Sequence, residues 1–338
     1  MTLRVLLATL FILQCASALP AMNNSIKTYS FAEGLDRAHS YGIQVKQSTG
    51  GVYTVDSYSA IVSEVNTTSG KGIEHNTSFA LFDFEGSVDL VVTYNNGPIK
   101  SAVIRPYSYG IKPTVKGNTV SFTLNRPRNI VVQVNDDIFD TLQLFTNAIE
   151  TDIPSQGDLN VVYFGPGIDN GLSSKNGTLV IPSGKTPETM DGVTIRNIDI
   201  LDHREPQMWY QGCIAINPGD SNLIQNVHIE DVRVEDFRLG QLLNFRVMYN
   251  SKYNTSPGRG IRNVYVKDLV YNGSHANPSL FLGYDKDRNI SNVTFVNLQV
   301  NGKLIDDNMA KPSWYYTADF VPMFANEYVE GLNFTGKQ

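Results

Sequence analysis

Four stretches of a single pattern decide what the C-terminal half of this chain can fold into. Met190–Ile200, Ile224–Val234, Ile261–Tyr271 and Ile290–Val300 align without gaps as apolar-x-Asn-Val-x-apolar-x-Asp/Asn-apolar-x-apolar, with Gly192 in the first Asn place of the first copy. Period-two alternation on either side of a fixed Asn or Asp describes two short strands meeting at a corner, with apolar residues turned inward. One copy cannot bury such a face alone, but stacked copies can. Val193, Val227, Val264 and Val293 then form one interior row, and Ile195, Ile229, Val266 and Phe295 form the next. Asn197, Asp231, Asp268 and Asn297 form a corner ladder, because these side chains bond turn backbone and tolerate left-handed geometry. The copies start 34, 37 and 29 residues apart. A leucine-rich repeat needs Leu at fixed offsets and a regular period of roughly 20 to 29 residues, so the pattern predicts a parallel β-helix. The uneven spacing places variable loops, rich in Trp, Tyr, Arg, Asp and Gly, at 203–221, 237–260 and 272–288. In a solenoid such loops gather on one side and form the binding face.

Upstream, Tyr41 to Asn147 shows short β-rich runs broken by Gly, Asn and Pro, which predicts an antiparallel sandwich. Asn96-Gly97 reads as a hairpin turn after Val88–Tyr94. The expected organisation is a signal peptide at 1–18, a β-sandwich at 27–150, an incomplete parallel β-helix at 155–305 and a C-terminal cap or tail at 306–338. The tail carries Trp314, Tyr315, Tyr316, Phe320, Phe324 and Tyr328. Those aromatics cover the open solenoid end on one reading and form a sugar platform on the other.

Arg4, the apolar run Val5–Leu13 and the small-residue site Ala16-Ser17-Ala18 form a secretory signal, too short to span a bilayer. Sequons at Asn23, Asn66, Asn76, Asn176, Asn254, Asn272, Asn289, Asn292 and Asn333 point to the same compartment, whereas Asn277 is excluded by Pro278. Cys15 leaves with the signal, so Cys213 has no intramolecular disulfide partner. The remaining chain of about 320 residues is long enough to bury a core without such staples. A net charge of -6 without Lys/Arg runs argues against nucleic acid and anionic membrane as partners and favours a neutral or weakly charged ligand.

Val103–Pro113, Gly117–Leu124 and Leu142–Asn147 resemble the N-terminal β-sandwich of secreted β-helix glycoside hydrolases, and Val162–Gly167 resembles the segment leading into their helix. The repeats after Met190 resemble the later coils of the same group, which includes polygalacturonases and the dextranase and isopullulanase type of enzyme on the pectin-lyase-like fold. The resemblance covers roughly Tyr41 to Lys303. It implies an all-β fold, a sandwich followed by a shortened right-handed parallel β-helix, and hydrolysis of a polysaccharide by a monomer with no metal or organic cofactor. Coil pattern specifies fold better than substrate.

Glycoside hydrolysis generally needs two carboxyl groups, about 5 Å apart for retention or about 6.5 to 9.5 Å for inversion. The Asn-Thr-Asp, Asp-Asp, Gly-His-Gly and Arg-Ile-Lys groups of polygalacturonases occur on no coil here. Asp136-Asp137 falls in the sandwich and Asp306-Asp307 after the last repeat. Relatives carry several further coils between the segments matching Ile181–Lys185 and Met190, so the catalytic middle of the solenoid is missing, whether by deletion, splicing or a faulty gene model.

The candidate acids that remain are Asp202 and Glu205, with His203, Arg204, Trp209 and Arg246 as candidate sugar contacts. A solvated, internally paired loop is the competing reading of the first cluster. Glu230-Asp231 and Glu235-Asp236 read as corner and solvent-facing residues, and Arg259 as another guanidinium able to clamp a sugar carboxylate. Three functions stay open: a secreted glycoside hydrolase-like protein of polysaccharide degradation, a non-catalytic carbohydrate-binding or cell-wall protein, and a truncated, inactive gene product.

Overall fold

The computed structural model describes residues 25–47, 50–66, 69, 71–151, 189–204, 212–238, 240–274 and 277–336. The signal-peptide segment, Asn23, Asn176, Glu205 and Trp209 lie outside them. The described residues form a β-sandwich followed by a short parallel β-helix.

One sandwich sheet contains β1 (Ser25–Thr28), β4 (Ser57–Val65), β5 (Gly72–Glu85), β7 (Ala102–Arg105), β10 (Ile130–Val134) and β11 (Leu142–Asn147), in the order β1-β5-β11-β10-β7 with β4 also on β5. The other contains β2 (Tyr41–Lys46), β3 (Val52–Val55), β6 (Val88–Tyr94), β8 (Thr114–Lys116) and β9 (Thr119–Leu124), in the order β3-β2-β6-β9-β8. Alternate residues such as Ile43, Val45, Leu90, Val92, Val120 and Leu124 meet Phe82, Phe84, Val132, Leu142 and Leu144 in one core. Pairing is antiparallel except between β5 and β11, which run parallel. Asn96-Gly97 does not close a hairpin: β6 and β7 belong to different sheets, so this turn carries the chain across the sandwich. The Asn96 amide instead donates to Ser40 and Asp140.

The main solenoid sheet stacks β12 (Thr189–Asp191) and β13 (Thr194–Ile200) on β15 (Leu223–Val234), then β17 (Gly260–Tyr271), then β19 (Ile290–Val296) and β20 (Leu298–Val300), with β23 (Val329–Thr335) on β19. β21 (Lys303–Ile305) folds back antiparallel on β20. The register joins the rows read from the repeat, since Val227 pairs with Val264 and Val264 with Val293, all buried. The corner residues Asn197, Asp231, Asp268 and Asn297 have φ between 55° and 58° except Asp268 at 53°, the left-handed geometry anticipated for them.

A second left-handed corner precedes the first. Asn226, Asn263 and Asn292 have φ of 53°, 52° and 55°, and Gly192 and Gly331 take the same place at 70° and 67°. Asn292 Nδ2 donates to Asn263 Oδ1 (3.2 Å), Asn263 Nδ2 to Asn226 Oδ1 (2.9 Å) and Asn226 Nδ2 to Asp191 Oδ1 (2.8 Å). Val329-Glu-Gly-Leu-Asn-Phe is therefore a further copy of the repeat, within the segment expected to be cap or tail. At the opposite end the expected burial fails: Ile195 is 42% exposed and Ile198 38%. Among the described residues β13 has a stacking partner on one side only.

The predicted loops contain three strands of the second solenoid sheet, β14 (Ile214–Ile216), β16 (Leu243–Arg246) and β18 (Ser279–Leu282), and the expected tail supplies the fourth, β22 (Met323–Ala325), all stacked in parallel in that order. Between the sheets the rings of Phe245, Phe281, Phe295 and Phe334 touch in series, edge to face at the first two contacts and stacked at the third, with successive centroids 5.0, 6.2 and 5.2 Å apart. Each buried Phe side chain contributes roughly 1.5–3 kcal/mol by leaving water.

Candidate functional site

Sandwich and solenoid meet along a polar seam. Arg105, at the end of β7, donates from Nε to Glu235 Oε2 (2.8 Å) and from a terminal nitrogen to the Leu201 carbonyl (2.9 Å), while the Tyr107 N–H reaches Glu235 Oε1 (2.6 Å). Both side chains of this ion pair are nearly buried, so Glu235 is not the solvent-facing residue read from the sequence. Beside them Asp199 accepts from Arg233 (2.7 and 2.8 Å) and from the Ser108 hydroxyl (2.9 Å). Burial works against the Asp199 charge, but the Arg233 and Ser108 hydrogen bonds outweigh it and hold the carboxyl below the usual range.

Above this seam opens a cleft of about 450 Å³. Its walls are the inner face of the β4–β5 hairpin (Val62, Glu64), the outer face of β10 and β11 (Val131, Gln133, Gln143), the loop residues Ile138 and Phe139, and Leu201, Asp202 and Arg204. Leu201–Arg204 reaches it because the chain leaves β13 there, held by the Arg105 bond to Leu201 and by His203 N–H donating to the Asp236 carbonyl (3.1 Å).

Arg204 Nε stands 3.1 Å from both oxygens of Asp202, and one of its terminal nitrogens lies 3.7 Å from Glu64. Glu64 also accepts from Arg238 (3.2 Å), and His75 Nε2 lies 3.4 Å from its other oxygen without forming an aligned hydrogen bond. The His75 ring stacks on Phe139 at 3.8 Å and 5°, fixing its plane, and the Arg204 guanidinium stands 5.8 Å from the same phenyl ring. Glu64, Asp202 and Arg204 thus line one groove, while Arg238 and His75 reach Glu64 from beyond its lining.

Of the residues singled out from sequence, Asp202 and Arg204 line this cleft. His203 does not; its backbone bridges to the 236–238 segment. Arg246 ends β16 in the other parallel sheet, away from the cleft lining. Glu64, His75 and Phe139 escaped sequence reasoning because they sit on the sandwich, far along the chain from Asp202. The signal that points to them is register: His75 pairs with Val62 and Ile73 with Glu64, which places all four on one hairpin face.

Cys213 is half-buried against the solenoid core, and burial pushes its thiol up to about 12. Asp220 serves a turn: it accepts from Thr255 N–H (2.6 Å) and from Asn254 Nδ2 (3.0 Å). Trp314 and Tyr316 in the tail are 77% and 79% exposed, while Val321 and Phe334 from the same segment join the core. No helix among the described residues is long and apolar enough to cross a membrane.

No protein-family profile matches this chain, and no curated protein does. Among solved structures it is similar to Dex49A from Penicillium minioluteum, at 11% identity over 91% of this chain and 80% of that one, with a TM-score of 0.32.

Proposed function

We propose that this chain is a secreted polysaccharide-binding protein built on a glycoside hydrolase-like scaffold, and that the cleft between sandwich and solenoid holds the sugar. The observation that carries this reading is the pairing of both cleft carboxylates with guanidinium: Arg204 faces Asp202 with Nε equidistant from its two oxygens, and Glu64 lies between Arg204 and Arg238. Hydrolysis needs one carboxyl group that keeps its proton for the leaving oxygen and a second that works as base or nucleophile. Acids held by arginines make instead a fixed array of donors and acceptors, suited to sugar hydroxyls, beside the apolar walls of Val62, Ile138 and Phe139. Charge in the cleft is close to balanced, which suits a neutral or weakly charged polymer.

Affinity electrophoresis of the secreted protein through polygalacturonan, rhamnogalacturonan, dextran and pullulan, with reducing-sugar assays on the same polymers, tests the proposal. The expected result is retardation by at least one polymer without sugar release, lost in Arg204→Ala. Sugar release abolished by Asp202→Asn or Glu205→Gln would replace binding by hydrolysis, and migration unaffected by every polymer would refute both.

A further inference from the structure

The β4–β5 hairpin outgrows the sandwich. The Arg37–Tyr58 bridge and the Ser59 N–H bond to Asp36 cover the start of β4, but from Ala60 onward it pairs only with β5 among the described residues. One face of the hairpin carries Val62, Glu64 and His75, of which Val62 and Glu64 line the cleft. On the other, Ile61 stands opposite Asn76, Ser63 opposite Glu74 and Val65 opposite Gly72, with Ser63 and Val65 also touching the rim of the cleft. Ile61 is 65% exposed and Val65 36%, and Glu74 supplies the single charge among these six residues. An open edge carrying apolar side chains and so little charge is a template for pairing with a second chain.

Asn76-Thr77-Ser78 is a sequon, and Asn76 occupies the position directly across from Ile61. Directly opposed residues hold their Cβ atoms roughly 4.5–5.5 Å apart. The Asn76 side chain is exposed and its amide donates to no other described residue. Three other sequons differ: Nδ2 of Asn292 is committed to Asn263 in the corner ladder, that of Asn254 to Asp220 and that of Asn333 to the Gly331 carbonyl. We infer that Asn76 carries an N-linked glycan whose inner sugars lie over Ile61 and Val65 and keep the β4 edge from pairing between molecules. In the transfer, the amide nitrogen of Asn76 bonds to the anomeric carbon of an oligosaccharide carried on a polyprenyl diphosphate. The anomeric carbon–oxygen bond to phosphate breaks, the diphosphate carrier departs, and the amide gives up one proton. Ser78 is buried in the folded chain, so the step precedes closure of the sandwich.

The test is peptide mapping by mass spectrometry of the full chain secreted from a eukaryotic host, with size-exclusion chromatography of the parent, Asn76→Gln and Asn76→Gln/Ile61→Lys. The expected result is Asn76 modified in most molecules, a several-fold larger oligomer fraction in the single variant with an unchanged circular dichroism spectrum, and return to the parent profile in the double variant. Unmodified Asn76 alongside other occupied sequons, a single variant as monomeric as the parent, or a double variant that still associates would each overturn the inference. A chain with no occupied sequon would overturn it together with the secretory assignment, while leaving polymer binding in the cleft to its own assay.

Discussion

Replacing Asn263 tests whether the inner corner of the solenoid is held by backbone geometry or by the amide ladder. Asn263 has φ of 52°, donates to Asn226 and accepts from Asn292. Alanine loses both hydrogen bonds, each contributing about 0.5–1 kcal/mol at such a partly solvated site. It must also hold a left-handed conformation costing roughly 1–2 kcal/mol, so the total loss is about 2–4 kcal/mol. Glycine loses the same bonds without the steric cost, against an unfolded-state entropy cost of about 0.5–1 kcal/mol relative to alanine. Asn263→Gly should therefore be more stable than Asn263→Ala, by about 0.75 kcal/mol between the midpoints of those costs. The neighbouring exposed strand residue Arg262 supplies the control, because it is absent from the left-handed positions and there glycine should be the worse replacement. Equilibrium urea unfolding followed by far-ultraviolet circular dichroism measures all four variants, comparing midpoints at equal slope. An alanine at 263 as stable as glycine, or the same order of stability at both positions, would refute the geometric argument.

Three further outcomes follow from the packing and the charges. Phe295→Ala, which removes the ring between Phe281 and Phe334, should cost about 3–5 kcal/mol in the same unfolding assay, and a loss under about 1 kcal/mol would contradict the continuous series of ring contacts. Because the Asp199 carboxyl is held below its ordinary value, its contribution is complete above the unfolded value of about 3.9 and fades as pH falls through the lowered one. Asp199→Asn should thus be less stable than the parent at pH 7 and converge with it in strong acid; a constant difference across that range would oppose the assignment. With its thiol pushed up to about 12, native Cys213 should resist iodoacetamide at pH 8 and react fully in denaturant, as read by intact mass, whereas rapid native alkylation would show it to be accessible.

The legible parts of the sequence were those where one physical requirement repeats. Val227, Val264 and Val293 had to share an interior row, and Asn197, Asp231, Asp268 and Asn297 had to turn a left-handed corner, because the repeat leaves no other way to bury its apolar positions. The further copy at Val329 was harder to see because Gly331 replaces asparagine there; both residues satisfy the same positive φ, and Gly192 in the first copy was the clue. Strands β14, β16 and β18 hid inside apparent loops because three or four residues are too few to show a period. Asn96-Gly97 misled because a turn dipeptide states that the chain bends without stating which strands it joins. At the cleft, the local Asp202–Arg204 pair was within reach of sequence reasoning, while Glu64, His75 and Phe139 were not.

By itself the sequence determined that the chain is nearly all β, that its second half stacks in parallel, and which residues of the repeats after the first face inward, since strand alternation and left-handed corners are local constraints that each repeat states again. Tertiary structure alone decided where the sandwich meets the solenoid, that Glu235 belongs to the buried seam, and that Glu64, itself bonded by Arg238, joins Asp202 and Arg204 across one groove. These are contacts between charges far apart along the chain. Electrostatic pairing depends on distance in space and on exclusion of water, and neither is encoded in the spacing of residues.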